Sequence, residues 1–283
     1  RGENQAKVND SLPMFDCYVS PCMNACPIHA NIPDYIGLAG EGKYAEALSV
    51  IYEDNALPNI TCNICDHQCQ QHCARMDYEG AVQIREMKKV AVALGTEEYM
   101  KDWEAPLEPS SIKAAVVGAG PAGLSAGYFL ARAGIDTTIM EKAPNAGGVV
   151  ANIIPQFRIS REAIEVDIDF VRKHGVKFSY NAKDEDVTIA SLRESGFDYI
   201  FYAIGSSKDN DIAIKGNKSK VQGSLEFLDL FHNGKADGSL GKHVVVVGAG
   251  NTAMDCARAA KKTAGVADVT VVYRRSIKEM PAD

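Results

Sequence analysis

Seven cysteines lie between residues 17 and 73, spaced Cys17-x4-Cys22-x3-Cys26-Pro27 and Cys62-x2-Cys65-x3-Cys69-x3-Cys73, while an eighth, Cys256, stands alone. Thiols this dense, without an export signal and ahead of nucleotide-binding signatures, point to metal ligation in a reducing cytoplasm rather than to a disulfide framework. A cysteine followed directly by proline, within a run of closely spaced cysteines, is a feature of ferredoxin-type iron–sulfur segments. Two [4Fe-4S] clusters need eight ligands, and Cys17, Cys22, Cys26, Cys62, Cys65, Cys69 and Cys73 supply all but one. Zinc is the rival, since Cys62-x2-Cys65 is half of a zinc site, but the field lacks the two-plus-two partition of a zinc ribbon. A redox dithiol at Cys62 and Cys65 fits less well, because such a pair follows a glycine loop rather than preceding it. His29, His67 and His72 read as hydrogen-bonding residues, one of which can complete a ligand set.

The second chemistry is carried by two glycine loops, Gly118-Ala119-Gly120-Pro121-Ala122-Gly123 and Gly248-Ala249-Gly250-Asn251-Thr252-Ala253. Each follows a short apolar run and opens a helical pattern, the context in which G-x-G-x-x-G/A binds a dinucleotide. Gly118 permits the tight turn, Gly120 lets the backbone approach a pyrophosphate, and Gly123 lets helix and strand pack closely. The helix start supplies free N–H groups for the phosphates. Glu141, at the end of the next strand, is placed to accept from ribose hydroxyls. In the second loop Asn251 and Thr252 face the pyrophosphate. There Arg274 and Arg275 stand where an acidic residue would select NAD. A guanidinium pair favours a 2′-phosphate, hence NADPH, although two solvated surface arginines are the plain alternative. Cys256 reads as a packed small residue. No side chain is required as acid or base, so no catalytic residue is assigned; Glu279 is a candidate for positioning the nicotinamide amide.

The elements that must present these groups follow from periodicity. Helices are expected over about 43–54, with Tyr44, Ala47, Leu48 and Ile51 on one face, and after Cys73, with Ile84, Met87, Ala91 and Leu94 inward and Gly95 as the stop. Residues 104–111 read as a linker. Strands are expected at 112–117, 137–140, 199–204, 244–247 and 269–273. Helices are expected over 121–133, stopped by Gly134, and from a Ser160 cap to His174-Gly175 with Ile164, Ile168 and Val171 inward. This pattern is α/β, with a mainly helical iron–sulfur domain at 1–109, a Rossmann-like FAD-binding domain at 110–240, and the start of an NAD(P)H-binding domain at 241–283. Two strands are too few for an independent sheet, so the last ~40 residues are expected to pack incompletely or against a neighbour.

Composition bounds the reading. The chain has 283 residues, 46% of them hydrophobic, and a net charge of −7. Such a chain can bury real cores but does not carry the basic face of a nucleic-acid binder. No apolar run approaches the roughly 18 residues of a membrane span. Residues 1–10 are polar, residues 1–16 read as poorly ordered, and the start lacks Met, which suggests a piece of a longer protein.

Within this frame, Pro121-Ala122, Gly147-Gly148 and Ala203-Ile204-Gly205 resemble the flavin-binding segments of pyridine-nucleotide–disulfide-type flavoproteins, with Ile204 in place of a usual threonine. The order of two cysteine runs, Tyr44-Ala-Glu-Ala-Leu48, the glycine loop, Ile154 to Arg158 and Asn251-Thr-Ala-Met-Asp255 is similar to the glutamate synthase small subunit and the amino-terminal half of dihydropyrimidine dehydrogenase. The strings FDCYVSPC, CDHQCQQHC, GGVVANIIPQFRIS and GAGNTAMDCARAAKK resemble selenate reductase iron–sulfur flavoprotein subunits of the YgfK type. This resemblance implies FAD in the first unit, NADPH in the second and two [4Fe-4S] clusters. It adds Lys142, Gly147, Gly148, Val149, Arg158, Ala203 and Gly205 to the cofactor-binding set. It also implies one cluster on Cys17, Cys22 and Cys73 and another on Cys26, Cys65 and Cys69. Met14 and Lys88 stand where dihydropyrimidine dehydrogenase has a Cys and a Gln ligand, and Cys62 is a candidate replacement. The expected activity is electron passage from NADPH through flavin and clusters to a partner reductase or dehydrogenase domain or subunit. The alternatives are a zinc-stabilised docking module without turnover, or the input half of a glutamate synthase or pyrimidine-reducing enzyme.

Overall fold

A computed structural model describes residues 19–104, 109–206, 208–209 and 215–282. Cys17, Met14 and residues 105–108 of the expected 104–111 linker lie outside the described residues. The chain divides into two compact units that interleave in sequence. Residues 1–55 and 67–103 form one, while 56–66 and 104–283 form the other. The contiguous 1–109 domain read from sequence is therefore crossed by a short stretch, 56–66, that belongs with the dinucleotide fold.

The first unit is helical: α1 (Pro21–Ala25), α2 (Ile32–Gly40) and α3 (Tyr44–Asp54) before the crossing. Ala47, Leu48 and Ile51 of α3 are buried, as the apolar spacing predicts. The crossing carries α4 (Pro58–Ile64). The chain then returns through α5 (Gln68–Gln71) and a 3-10 turn to α6 (Ile84–Asp102). α6 runs past Gly95 instead of stopping there. Gly95 is buried inside the helix, where a Cβ would overlap the Tyr44 carbonyl at the start of α3. This close approach rotates the contact stripe onto Ala91, Val92 and Gly95 and leaves Leu94 58% exposed, against the expected inward position. Tyr52 and Tyr99 stack at 5.2 Å between the same two helices.

The second unit holds a parallel sheet in the order β3-β2-β1-β4, built from β1 (Lys113–Val117), β2 (Asp136–Glu141), β3 (Lys177–Tyr180) and β4 (Tyr199–Tyr202). In the register Val117 lies beside Met140 on one side and Tyr202 on the other. The order reverses at β1, so the crevice at its carboxyl end is the switch point where open α/β sheets bind ligands. α7 (Pro121–Arg132) returns the chain from β1, and α9 (Arg161–Lys173) packs against it. Ser160 caps α9 by accepting the Ala163 N–H at 3.2 Å, as its position predicts. On the opposite face α10 (Ile189–Glu194) covers Ala115 and Val117 with Leu192.

His174 ends α9, its ring edge-on to Tyr128 and Phe170 and its Nδ1 2.8 Å from the Phe170 carbonyl. Burial pushes its pKa below the ordinary 6.5, outweighing the carbonyl bond that raises it, and nearby Arg132 lowers it further. The unfolded chain therefore takes up the proton first. The contribution is present above about pH 6.5 and is lost as pH falls below it. A urea midpoint measured from pH 7.5 down to 5 is expected to fall through that window, and His174→Gln is expected to flatten this component.

A second, two-stranded parallel sheet joins β5 (His243–Val247) to β6 (Asp268–Val272). One face is covered by α12 (Asn251–Lys262), whose Cys256, Ala259 and Ala260 pack with Phe227 and Leu228 of α11 (Ser224–His232). The other face leaves Val245, Val247 and Val272 exposed. The expected incomplete packing of this segment is thus met on one face only. Among the described residues, no helix is long and apolar enough to cross a membrane.

Candidate cofactor-binding site

The first glycine loop is drawn together with two distant segments at the mouth of the β1 crevice. Gly118 has φ +106°, a conformation that favours glycine, and a Cβ there would overlap the Ala203 carbonyl at the end of β4. The Gly147 N–H donates to the Ala119 carbonyl at 2.8 Å. Gly147 precedes α8 (Gly148–Asn152), and a Cβ on Gly148 would come within 2.8 Å of the Gly120 Cα. Gly118, Gly120, Gly147, Gly148 and Ala203, scattered over 86 positions of sequence, thus line one backbone cradle. Gly123 sits a turn into α7 with its own Cα against the Gly118 carbonyl, as expected of the third glycine.

The first turn of α7 has Gly120 at its N-cap, no side-chain cap, and Pro121 as its opening residue. Its remaining free N–H groups are available to an anion. Glu141 is buried, and each of its oxygens already accepts a backbone N–H: Ala119 at 2.7 Å and Ala143 at 2.8 Å. Its first task is to fasten the glycine loop to the end of β2. Each carboxylate oxygen keeps a second lone pair, so a ribose hydroxyl remains compatible. Lys142, Val149, Ile204 and Gly205 are exposed around this cradle. Arg158, implied as a cofactor residue by resemblance, instead pairs with Asp255 of α12, Nη1 to Oδ1, at 3.0 Å.

The second loop repeats the first. Gly248 has φ +132°, its N–H donates to Val272 O at 2.9 Å, and Gly250 caps α12 with no side-chain bond. Asn251 and Thr252 occupy the first turn, and Arg274 and Arg275 lie exposed on the bend beyond β6. Glu279 does not point to a nicotinamide role. Its Oε2 accepts from the Ser276 N–H and lies 3.0 Å from the Ser276 hydroxyl, closing a capping box. Cys256 is buried and its thiol is pushed up to about 12, by burial first and then by Asp255 and Asp209. It is an inert packing residue, as its isolation in sequence indicates.

Of the cysteines, Cys22, Cys26, Cys69 and Cys73 belong to the helical unit, and Cys62 and Cys65 lie on and just beyond α4 in the other. In the helical unit α1, bearing Cys22 and closed by Cys26, packs on α5, which bears Cys69 and is followed by Cys73. The Ser20 hydroxyl lies 3.1 Å from Cys22 Sγ, and the Val82 N–H donates to Cys73 Sγ at 3.5 Å. Among the described residues these six form no disulfide with one another. His29 and His67 adopt positive φ, 51° and 42°, turning the chain sharply beside Cys26 and Cys69. Among the described residues, no three His, Cys, Asp or Glu side chains converge as a single-ion site. A cubane holds its thiolates farther apart than one ion does, and an all-thiol donor set with N–H···S support fits an iron–sulfur cluster.

Residues 112–282, more than half of the chain, match the family described as pyridine nucleotide-disulphide oxidoreductase. The chain belongs to that family. Residues 3–100 match dihydropyrimidine dehydrogenase domain II, 4Fe-4S cluster. The chain therefore joins a domain of the iron–sulfur type to one of the pyridine nucleotide-disulphide oxidoreductase type. It is 55% identical, over 99% of its length and 27% of the relative's, to YgfK of Escherichia coli (strain K12), provisionally named an oxidoreductase. It is 38% identical to the NADPH-Fe(3+) oxidoreductase subunit beta of Geobacter sulfurreducens (strain DL-1 / KN400), covering 95% of this chain and 41% of that one. It is 31% identical to the glutamate synthase [NADPH] small chain of Azospirillum brasilense, covering 94% and 58%. The chain thus spans between about a quarter and three-fifths of these relatives.

Proposed function

We propose that this chain is the electron-input module of a larger cytoplasmic oxidoreductase, drawing on NADPH and feeding a partner domain or subunit through two [4Fe-4S] clusters. The observation that carries the reading is the backbone cradle of Gly118, Gly120, Gly148 and Ala203 over the uncapped start of α7, repeated at α12, in one chain with the thiol field. FAD bound in the first cradle would accept a hydride from NADPH and release its two electrons singly. The protein's part is to bind and orient. The α7 and α12 amides hold pyrophosphates, Glu141 fixes the first loop, and Arg274 and Arg275 receive the 2′-phosphate. The relatives named as beta subunits and small chains support a partner that takes the electrons onward.

Anaerobic reconstitution with iron, sulfide and FAD tests this reading. Flavin absorption bleached by NADPH, with a reduced-cluster EPR signal under dithionite, is expected. Zinc with no flavin band would sink it in favour of the docking alternative. Arg274→Ala/Arg275→Ala is expected to weaken NADPH binding about tenfold or more while leaving NADH binding nearly unchanged, as the loss of charge-assisted bonds to one phosphate predicts. Equal losses for both nucleotides would remove the assignment of these arginines.

A further inference from the structure

The helix α4 carries Cys62 and ends at Cys65, yet its own N-cap residue, Leu57, offers no side-chain acceptor to the first-turn amides. The acceptor comes from 108 residues away. Asp167 of α9 is fully buried, and its Oδ1 takes the Asn59 N–H at 3.2 Å and Asn59 Nδ2 at 2.8 Å. Its Oδ2 takes the Ile60 N–H at 2.7 Å. A carboxylate out of water persists only when hydrogen bonds replace its hydration, and a negative charge at a helix start is favoured by the helix dipole. α9 also packs on α7, the helix that leaves the first glycine loop. A continuous path of packed elements therefore runs from the flavin cradle through α7, α9 and Asp167 to the cysteine-bearing helix.

We propose that Asp167 is a positioning residue that seats α4 on the dinucleotide fold, so that one buried carboxylate sets the separation between the cradle and the thiol of Cys65. The seat stands on the hydrogen bonds alone. Its consequence for electron passage rests on the function proposed above. In that case, Cys65 would be held where it could ligate a cluster that takes electrons from a flavin, and its placement would affect how fast they pass.

The test uses the full chain, reconstituted, with two variants. Asp167→Asn keeps the shape but turns an amide NH2 toward one of the helix N–H groups. Asn59→Ala removes only the side-chain bond and serves if the first variant does not fold. Amide exchange at Asn59 and Ile60 is expected to rise about tenfold in Asp167→Asn, the size of a lost helix cap, while exchange in β1 and α7 stays unchanged. Asn59→Ala should show a smaller rise in the same place, and alkylation of buried Cys62 should quicken alongside. After mixing with NADPH, flavin bleaching should keep its rate while cluster reduction slows. Unchanged exchange at Ile60, or a uniform rise across the whole unit, would overturn the proposal. Slower bleaching in step with slower cluster reduction would do the same. Absence of flavin or cluster signals in the unaltered protein would instead defeat the proposed function, and the exchange and alkylation measurements would still decide the role of Asp167.

Discussion

Gly123→Ala is expected to abolish the flavin retention proposed above and to lower the unfolding free energy by about 3 kcal/mol, at the severe end of overpacking by one methyl. The added Cβ would overlap the Gly118 carbonyl oxygen, a backbone atom that has no rotamer by which to retreat. Gly118 cannot yield easily either, because its N–H is bonded to Met140 O at 2.7 Å and its other side abuts Ala203. The loop must therefore open, and the cradle with it. Gly120→Ala is the informative partner. A Cβ there meets only the Gly148 Cα, at an ordinary 4.0 Å, so the protein itself tolerates it. The methyl instead projects where, on the function proposed above, backbone and pyrophosphate would approach. Urea midpoints and flavin-to-protein ratios should separate the two: Gly123→Ala loses both stability and flavin, whereas Gly120→Ala loses flavin alone. A Gly120→Ala protein with stoichiometric flavin would show that the cradle is not the flavin site.

Arg158→Ala is expected to cost about 3 kcal/mol or more, because it leaves Asp255 as a buried charge without its partner. The side chains are only 16% and 8% exposed, so solvent screens the pair weakly. The contact lies beside a second one on the same helix, Lys262 Nζ 4.9 Å from the Phe157 ring, so residues 157 and 158 clasp α12 at two points. Arg158→Met/Asp255→Leu should recover most of the loss, since an apolar pair of similar volume replaces a buried ion pair at little cost. Denaturant unfolding of the single and double variants reads this directly. A single variant within about 0.5 kcal/mol of the unaltered protein would mean that water already reaches Asp255.

Much of the dinucleotide fold was legible because its signals are local. Glycine positions, the Ser160 cap and the Ile164, Ile168, Val171 stripe each reflect a constraint within a few residues, and all stand as read. The convergence of Gly147-Gly148 and Ala203 on the first loop came from resemblance, since nothing local ties segments so far apart. The helical unit was less legible. α1, α2 and α4 are too short to show periodicity, although Pro21, Pro33 and Pro58 each mark a helix start and are the signal that finds them. Gly95 misled because a glycine demanded by a neighbouring backbone looks, in one dimension, like a glycine that ends a helix. The partners of Arg158 and Asp167 were invisible for the same reason: a buried charge is satisfied by whatever the fold brings to it.

The interleaving of the two units has a practical corollary for anyone wishing to excise or shuffle them. A cut between 104 and 109 reads as a natural seam, yet it would sever residues 56–66 from the unit whose Asp167 holds Ile60. The released amino-terminal piece would carry a greasy, uncapped loop between its helices, and the remaining piece would show a fresh scar where α4 had lain. Swapping cassettes between relatives should therefore transplant the 56–66 stretch together with its α9 docking surface, or the chimaera will inherit mismatched halves of a single joint.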